Sequence, residues 1–400
     1  MTPLERRASG GLALIFALRM LGLFLVLPVF ALEARHYPGG DDPALVGLAL
    51  GVYGLVQALL QLPLGMASDR FGRKRVIVLG LLTFAAGCLW AALATDVQGL
   101  IMARALQGAG AVSAAVTALL ADQTRDSVRT KAMALVGISI GLVFALALVL
   151  APLLNAAVGL AGLFAITGGL TLAGIAVVLW LVPPEPARSA RGPSDHWTQV
   201  WRHPGLLRLN LGVFVLHTVQ MAMWVAVPAL LVQAGLAKNA HWQVYLPAVV
   251  LAFGAIGWLF SMERRGRLRG AMLAAIGLVL LAQLGLLAVS ALAGSSAPAL
   301  WPLAVLLLVF FCGFNMLESS QPSLVSRMAA ASLRGSALGA YNTLQSLGLF
   351  AGGALGGALL KSAGMPGLFA ATATLVGLWL LLAWPLQPPG RAPVAPAPAP

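Results

Sequence analysis

The sequence predicts an all-α integral membrane protein of 12 transmembrane helices in two pseudo-symmetric six-helix bundles. Three observations lead there. Apolar residues make up 60% of the 400-residue chain and charged residues 9%, with a mean hydropathy of +0.92. That leaves too little polar surface to coat a soluble globule of this size. Apolar runs close to the ~20 residues that cross a bilayer recur along the chain, broken by charge or by Pro/Gly clusters. A charged turn, "GMASDRFGRK" at residues 65–74, returns 194 residues later as "SMERRGRLRG" at 261–270, with Asp69, Arg70, Gly72 and Arg73 recurring as Glu263, Arg264, Gly266 and Arg267. A charged hinge written twice marks two copies of one unit.

The runs follow in order. The first, 10–32, ends at the polar stretch from Glu33 to Pro43, and the second, 44–67, ends at the first charged turn. Asp96 separates 75–95 from 97–121, the segment from Asp122 to Thr130 precedes 131–154, and Asn155 to Gly159 precedes 160–182. The longest polar interval, 183–205, carries "PPEP" and "RGPSDHWTQVWRHP" and divides six runs from six. Runs at 206–233, 242–262, 270–292, 299–326, 335–360 and 366–386 complete the set. The expected domains are a bundle over 1–182, a linker over 183–205, a second bundle over 206–386 and a disordered Pro/Ala tail over 387–400. Within the linker, Trp197, Val200 and Trp201 fit either one face of a short interfacial helix or a plain tether. A closed barrel is excluded, because lipid-facing strands alternate polar and apolar residues whereas these runs are apolar all round.

The net charge of +13 is one-sided. With the amino terminus in the cytoplasm, 20 of the 25 Lys and Arg fall in cytoplasmic loops and tails, and only Arg35, Lys238 and Lys361 lie opposite. This bias sets topology, with both termini cytoplasmic, and makes nucleic acid an unneeded partner. The first run exceeds twenty residues and lacks a small-x-small cleavage site, so it is retained as a helix. Cys88 and Cys312 lie inside spans in different halves and read as small packing residues. Glycine pairs Gly352/Gly356, Gly353/Gly357 and Gly137/Gly141 mark expected close helix contacts.

A charge at bilayer depth costs at least ~2.5 kcal/mol, so embedded ionisable groups point to function. Four qualify: Arg19 in helix 1, Arg104 in helix 4, His217 in helix 7 and Glu318 in helix 10. Arg19 and His217 sit at similar depth, nine and eleven residues before Pro28 and Pro228. Glu318, the one acid well inside a span, is the first candidate proton carrier; the alternative is a structural ion pair. His217 is the second, since imidazoles change charge near neutral pH, against a neutral hydrogen-bonded role. Arg19 and Arg104 stay charged, and set the field at Glu318 or meet an anionic group of a substrate. Gln57, Gln61, Gln107, Ser113, Thr117, Gln220, Asn315, Asn342 and Gln345 add polar points. Tyr53, Trp224, Met316, Tyr341, Phe16, Met20, Phe24, Met221 and Phe314 add aromatic and thioether walls, suited to lipophilic or amphipathic ligands or to ordinary helix packing. No "GxxxxGK[ST]" loop, no cluster with metal-ligand spacing and no nucleophile beside a base occurs, so no enzyme activity and no cofactor are expected. A proton gradient is the expected energy source.

The stretches "LRMLGLFLVLPVF" (18–30), "GVYGLVQALLQLPLGMASDRFGRK" (51–74), "RALQGAGAVSAAVTALLAD" (104–122), "RTKAMALVGIS" (129–139) and "FNMLESSQPSL" (314–324) resemble the major facilitator superfamily, and within it the YajR-type drug:proton antiporters. The resemblance covers residues 1 to about 386 and implies two bundles alternating between inward- and outward-open states, with helices 1, 4, 7 and 10 lining the cavity. It implies that Gly65, Asp69, Arg70, Gly72 and Arg73 form a cytoplasmic gating motif. In it Asp69 latches the outward-open state against the amino terminus of helix 11, and Arg73 with Asp122 completes the latch. Arg104, Gln107 and Gly108 match the family's helix 4 motif. Two departures stand out: Ala151-Pro152 replaces the usual Gly-Pro of the helix 5 antiporter motif, and a Pro/Ala tail stands where relatives of this branch carry a soluble domain. The expected activity is proton-coupled export of hydrophobic or amphipathic compounds from a bacterial inner membrane, by a monomer. A proton-coupled importer of a small organic solute and a non-transporting sensor or scaffold are the alternatives.

Overall fold

The computed structural model describes residues 1–110, 112–185, 197–292, 297–330 and 333–386. All regular structure among them is helical: α1 (Pro3–Glu33), α2 (Pro43–Phe71), α3 (Arg73–Leu93), α4 (Val97–Ala109), α5 (Ser113–Asp122), α6 (Asp126–Ala176), α7 (Trp197–Arg202), α8 (Pro204–Gln233), α9 (Trp242–Arg264), α10 (Leu268–Leu292), α11 (Leu300–Met328) and α12 (Arg334–Ala383). Local chemistry starts several of them. Thr2 and Glu5 form a reciprocal capping box ahead of Pro3, and Asp42, Asp96 and His203 each accept a first-turn N–H at the head of α2, α4 and α8.

Helix α6, at 51 residues, would reach roughly 76 Å if straight, against a hydrocarbon core of ~30 Å. It doubles back instead. Arg125, just before its start, bonds Glu5, while the Leu181 carbonyl, beyond its end, accepts from Arg7 two residues away on α1. The reversal is at Gly159, whose φ of +67° suits a residue without a Cβ. Helix α12 turns likewise at Gly364, with φ +66°. Its Lys361 reaches Asp42 at one membrane face and the Trp384 carbonyl beyond its end takes Arg269 at the other. With α4 and α5 sharing one crossing, and α6 and α12 each making two, the long helices amount to the twelve crossings expected.

The repeat is visible in the backbone. The six positive-φ glycines among the described residues fall into three pairs: Gly39 with Gly235, Gly72 with Gly266, and Gly159 with Gly364. The two charged turns also anchor to matching helix ends with their charges exchanged, Arg73 to Asp122 after the fourth span and Glu263 to Arg327 in the tenth. These contacts define the turn face of the molecule; the ends at Glu33, Asp42, Lys238 and Lys361 define the far face.

Small residues bring the helices together, as packing without a hydrophobic drive requires. On α12, Gly353 and Gly357 face α2, where a Cβ on Gly47 would fall 2.7 Å from Gly357 Cα and closer still to the Gly353 oxygen. Gly352 and Gly356 face α8, against Thr218 and Ala222. The expected Gly137/Gly141 contact is not made: nothing lies within 4 Å of a Cβ on Gly137, and only Phe253, at 3.8 Å, near Gly141. That stretch of α6 faces outward, with Ile138 and Leu142 exposed, as a lipid-facing surface would be. In the linker, Val200 of α7 is fully buried and Trp201 exposed, while the Trp197 side chain, residues 186–196 and the 387–400 tail lie outside the described residues.

The ion pairs between the first and last six spans, among the described residues, are both at the far face: Asp42 with Lys361 at 2.7 Å and Glu33 with Lys238 at 3.2 Å. The Lys361 ammonium, and then the Ala44 N–H, hold the Asp42 carboxyl below its usual range. A carboxylate so lowered keeps its pairing above the ordinary value near ~3.9 and loses it only as pH falls through the lower folded value. Asp42→Asn is therefore expected to raise labelling of a cysteine placed at Ser362 by no more than a few-fold, because the pair is exposed. In a Glu318→Gln background, whose faces are expected not to respond to pH, the increment should be equal at pH 8 and pH 5; an increment that vanishes at pH 5 would put the Asp42 titration in the neutral range.

Candidate functional site

The embedded polar residues gather into two clusters joined across the two halves. In the first, the α1 guanidinium of Arg19 is 2% exposed. It donates to Tyr53 Oη (2.6 Å) and Gln57 Oε1 (3.4 Å) on α2 and to Ser113 Oγ (3.0 Å) on α5, and lies over the Phe84 ring. Arg104, equally buried on α4, donates to Gln107 Oε1 (2.7 Å) and the Ala49 carbonyl and sits 5.0 Å from the Tyr53 ring centroid. Gln107 in turn donates to Cys88 Sγ. Tyr53 thus takes a hydrogen bond from one guanidinium at its hydroxyl and carries the other on its ring. No carboxylate among the described residues comes within 4.0 Å of either cation.

The second cluster joins α8, α11 and α12. His217 is buried, with Nδ1 3.0 Å from the Val213 carbonyl one turn back and Nε2 2.8 Å from Gln345 Nε2. This pairing suits a neutral imidazole, in which Nδ1–H donates to the carbonyl and Nε2 accepts from the amide. The same Gln345 amide donates to Glu318 Oε1 at 3.3 Å. Glu318 Oε2 lies 3.6 Å from His217 Nε2, too long for a hydrogen bond, and has no partner. A proton on His217 Nε2 would turn that nitrogen into a donor facing this oxygen. Phe314 closes one side, edge-on to the imidazole.

Gln57 connects the clusters. Its Oε1 accepts from Arg19 and its Nε2 donates to Ser346 Oγ at 3.0 Å, next in sequence to Gln345. A polar chain therefore runs from Arg19 through Gln57 and Ser346 to the neighbour of His217 and Glu318. Neither Arg19 nor Arg104 is in contact with Glu318. The fourth span, which the sequence predicts as one run over 97–121, is divided between α4, ending at Ala109, and α5, starting at Ser113. Gly108 and Gly110 pack so closely on Tyr53 and on Gly80 and Phe84 that a Cβ on either would clash.

The remaining predicted residues divide. Gln61 on α2 and Asn315 on α11 each hold a buried side-chain atom without a partner. Gln220 is half-buried and Asn342 lends its carbonyl to Ser346. Trp224, Met316 and Tyr341 are almost fully buried in the apolar core, Trp224 edge-on to Tyr245 and Tyr341 near Gln321. Apolar side chains on all faces of a span give no periodicity by which core could be told from cavity.

A family model for the Major Facilitator Superfamily matches residues 12–353. The chain belongs to that superfamily. It is 41% identical over 394 residues, 97% of this chain and 85% of the relative, to the inner membrane transport protein YajR of Escherichia coli. It is 27% identical, over 91% of this chain and 92% of the other, to multidrug resistance protein 2 of Bacillus subtilis. Among solved structures, a bacterial homologue of the human lysosomal transporter Spinster, inward-facing and occupied, matches with a TM-score of 0.72 at 15% identity, covering 96% of both chains. The superfamily is one of membrane transporters rather than enzymes, and the fold is theirs.

The charged turn at 65–74 is tied down by local contacts. Gly72, with φ +112°, ends α2 and begins α3. Ser68 donates to the Gly65 carbonyl and accepts from Arg73, which also reaches Asp122 at 3.1 Å, so the expected Arg73–Asp122 contact is made. Arg70 lies over the Phe71 ring. Asp69 pairs with Arg73 in its own turn and its side chain is 63% exposed, with no bond to the start of α12. One participant gave no signal in the sequence: Glu185 accepts from the Arg73 and Lys74 N–H groups (3.1 and 2.7 Å) and caps α3. It lies far along the chain, in the linker.

Proposed function

We propose that the chain is a proton-coupled secondary transporter that exports hydrophobic or amphipathic compounds by alternating access. The observation that carries this reading is the His217–Gln345–Glu318 cluster, in which one amide bridges a buried imidazole and a carboxylate whose second oxygen has no partner. A single proton changes the bonding of all three groups. Ser346, which follows Gln345 on α12, accepts from Gln57 of the other half and places the cluster one residue from the interface between the bundles. Kinship with multidrug resistance proteins favours export of lipophilic compounds. The one-sided basic charge favours termini on the cytoplasmic side of a bacterial inner membrane. In that frame the far face is periplasmic, and closure there with an open Asp69 latch corresponds to the inward-open end of the cycle, with residues 1–182 and 206–386 as the moving bundles and no cofactor beyond the proton gradient.

The test is transport in proteoliposomes of known orientation with an imposed pH gradient. Accumulation of a lipophilic dye against its gradient, with measurable proton counterflow, supports export; uptake in the opposite sense supports an importer, and no flux in either sense overturns the reading. The Asp69 latch adds a second expectation. Because Asp69 makes only its own-turn pair in the state seen here, Asp69→Asn should leave this state intact and weaken the other. Labelling of turn-face cysteines then rises and that of far-face cysteines falls; identical labelling in variant and parent would remove the latch from the cycle.

A further inference from the structure

We infer that Arg19 and the first turn of α5 form the head-group site for an amphipathic organic monoanion, an inference that names the substrate class for the transport reading above. Helix α5 begins inside the membrane at Ser113, after the break in the fourth span. Its N-cap, Val112, supplies no side-chain cap, and the first intrahelical bond is from Val116 N–H to the Val112 carbonyl. The N–H groups of Ser113, Ala114 and Ala115 precede it. An uncapped helix amino terminus carries about half a positive charge and is costly where water is scarce.

Arg19 stands against this terminus, its Nη1 donating to Ser113 Oγ. Its acceptors are hydroxyls and an amide, all neutral, and its Nε, buried, has no partner. Arg104 adds a second buried cation on the far side of Tyr53. Arg19 and a helix terminus thus meet, with Arg104 behind Tyr53, and no countercharge pairs with either cation among the described residues, an arrangement that is costly unless an anion completes it. The internal repeat says which kind. Arg19 precedes His217 by 198 residues, and Ser113 precedes Glu318 by 205, the same spacing that separates Gly159 from Gly364. Where the last six spans set a carboxylate before His217, the first six set Ser113 before Arg19. A carboxylate brought by the ligand supplies the missing partner. Ser113 and Gln57 are part-exposed and give access, and Met20, also part-exposed and packed on the buried Phe16, Val112 and Val116, offers apolar surface for the rest of the molecule.

Two fluorescent probes of one shape and opposite charge test this: anthracene-9-carboxylate and 9-(aminomethyl)anthracene, titrated into the full chain in phosphatidylcholine nanodiscs with no gradient present. The carboxylate is expected to bind at least about tenfold more tightly, a factor that one charge-assisted hydrogen bond supplies. Arg19→Gln should erase the preference and Arg19→Lys keep part of it. The parent comparison stands even if a variant fails to fold. Equal binding of the two probes, preference for the amine, or a preference that survives Arg19→Gln overturns the inference. Competition by added phosphatidylglycerol would reassign the site to a lipid head group and overturn the substrate assignment. Equilibrium binding separates this from coupling: Glu318→Gln should keep the carboxylate preference, and a preference found in a protein with no pH-driven flux would sink the coupling alone.

Discussion

Glu318→Gln is expected to abolish pH-driven accumulation while leaving exchange of substrate for substrate intact. Glutamine keeps the size of the side chain and can still accept from Gln345, so packing around α8, α11 and α12 is preserved. What it removes is the one acid well inside a span, with an oxygen 3.6 Å from His217 Nε2. Each pH unit across the membrane is worth about 1.4 kcal/mol per proton. A two-unit gradient coupled to one proton therefore sustains a concentration ratio of about a hundredfold, and in the variant the ratio should collapse toward one. Accumulation that persists unchanged would remove Glu318 from coupling. A sensor or scaffold that kept the fold without transport would show neither accumulation nor exchange in the parent.

Gly353→Ala should carry the second large effect, and on conformation rather than folding. A Cβ at Gly353 would meet Gly47 O and Gly51 N at 2.6 Å and Gly51 Cα at 2.7 Å, all backbone atoms of α2 in the other half, which cannot rotate aside. In the proposed cycle this close approach is lost when the far face opens. Overpacking of this kind costs about 1–3 kcal/mol, which shifts a two-state equilibrium by roughly 5- to 150-fold toward the state with an open far face. Gly352→Ala is the control. Its Cβ would meet Thr218 O and, at 2.8 Å, Met221 Cβ of α8, inside the same half, so its cost falls on folding. Far-face cysteine labelling should rise in the first variant, and thermal stability should fall in the second without a change in labelling. Equal labelling changes in both would mean that the α2–α12 contact does not separate during the cycle.

Much of this was legible because membrane physics is strict. Twelve crossings, including the reversals near Gly159 and Gly364, follow from run length, and Arg19, Arg104, His217 and Glu318 stand out because charge at depth is expensive. Gln57, Ser113 and Gln345 were visible as polar points but not as connectors, since sequence spacing does not tell which helices meet. Ser346 gave no signal: a serine in a helix costs little, bonding back to the Asn342 carbonyl, and its cross-half bond depends on the packing of α2 against α12. The break before Ser113 was hidden because Gly108 and Gly110 are unremarkable in an apolar run until neighbouring backbones press on them. The state of the Asp69 latch was beyond reach for another reason. One sequence encodes both ends of a cycle, and a fold holds one at a time.

Paired distances at the two faces test the central claim, rocking of two bundles about one polar chain, most directly. In a protein with Cys88 and Cys312 replaced, spin labels at Asp41 and Ser362 would report the far face, and labels at Arg6 and Arg265 the turn face, all four positions being exposed. Between pH 8 and pH 5 the two distances are expected to change in opposite senses, and to stop responding to pH in Glu318→Gln. Distances that move together, or stay fixed while substrate is transported, would contradict it.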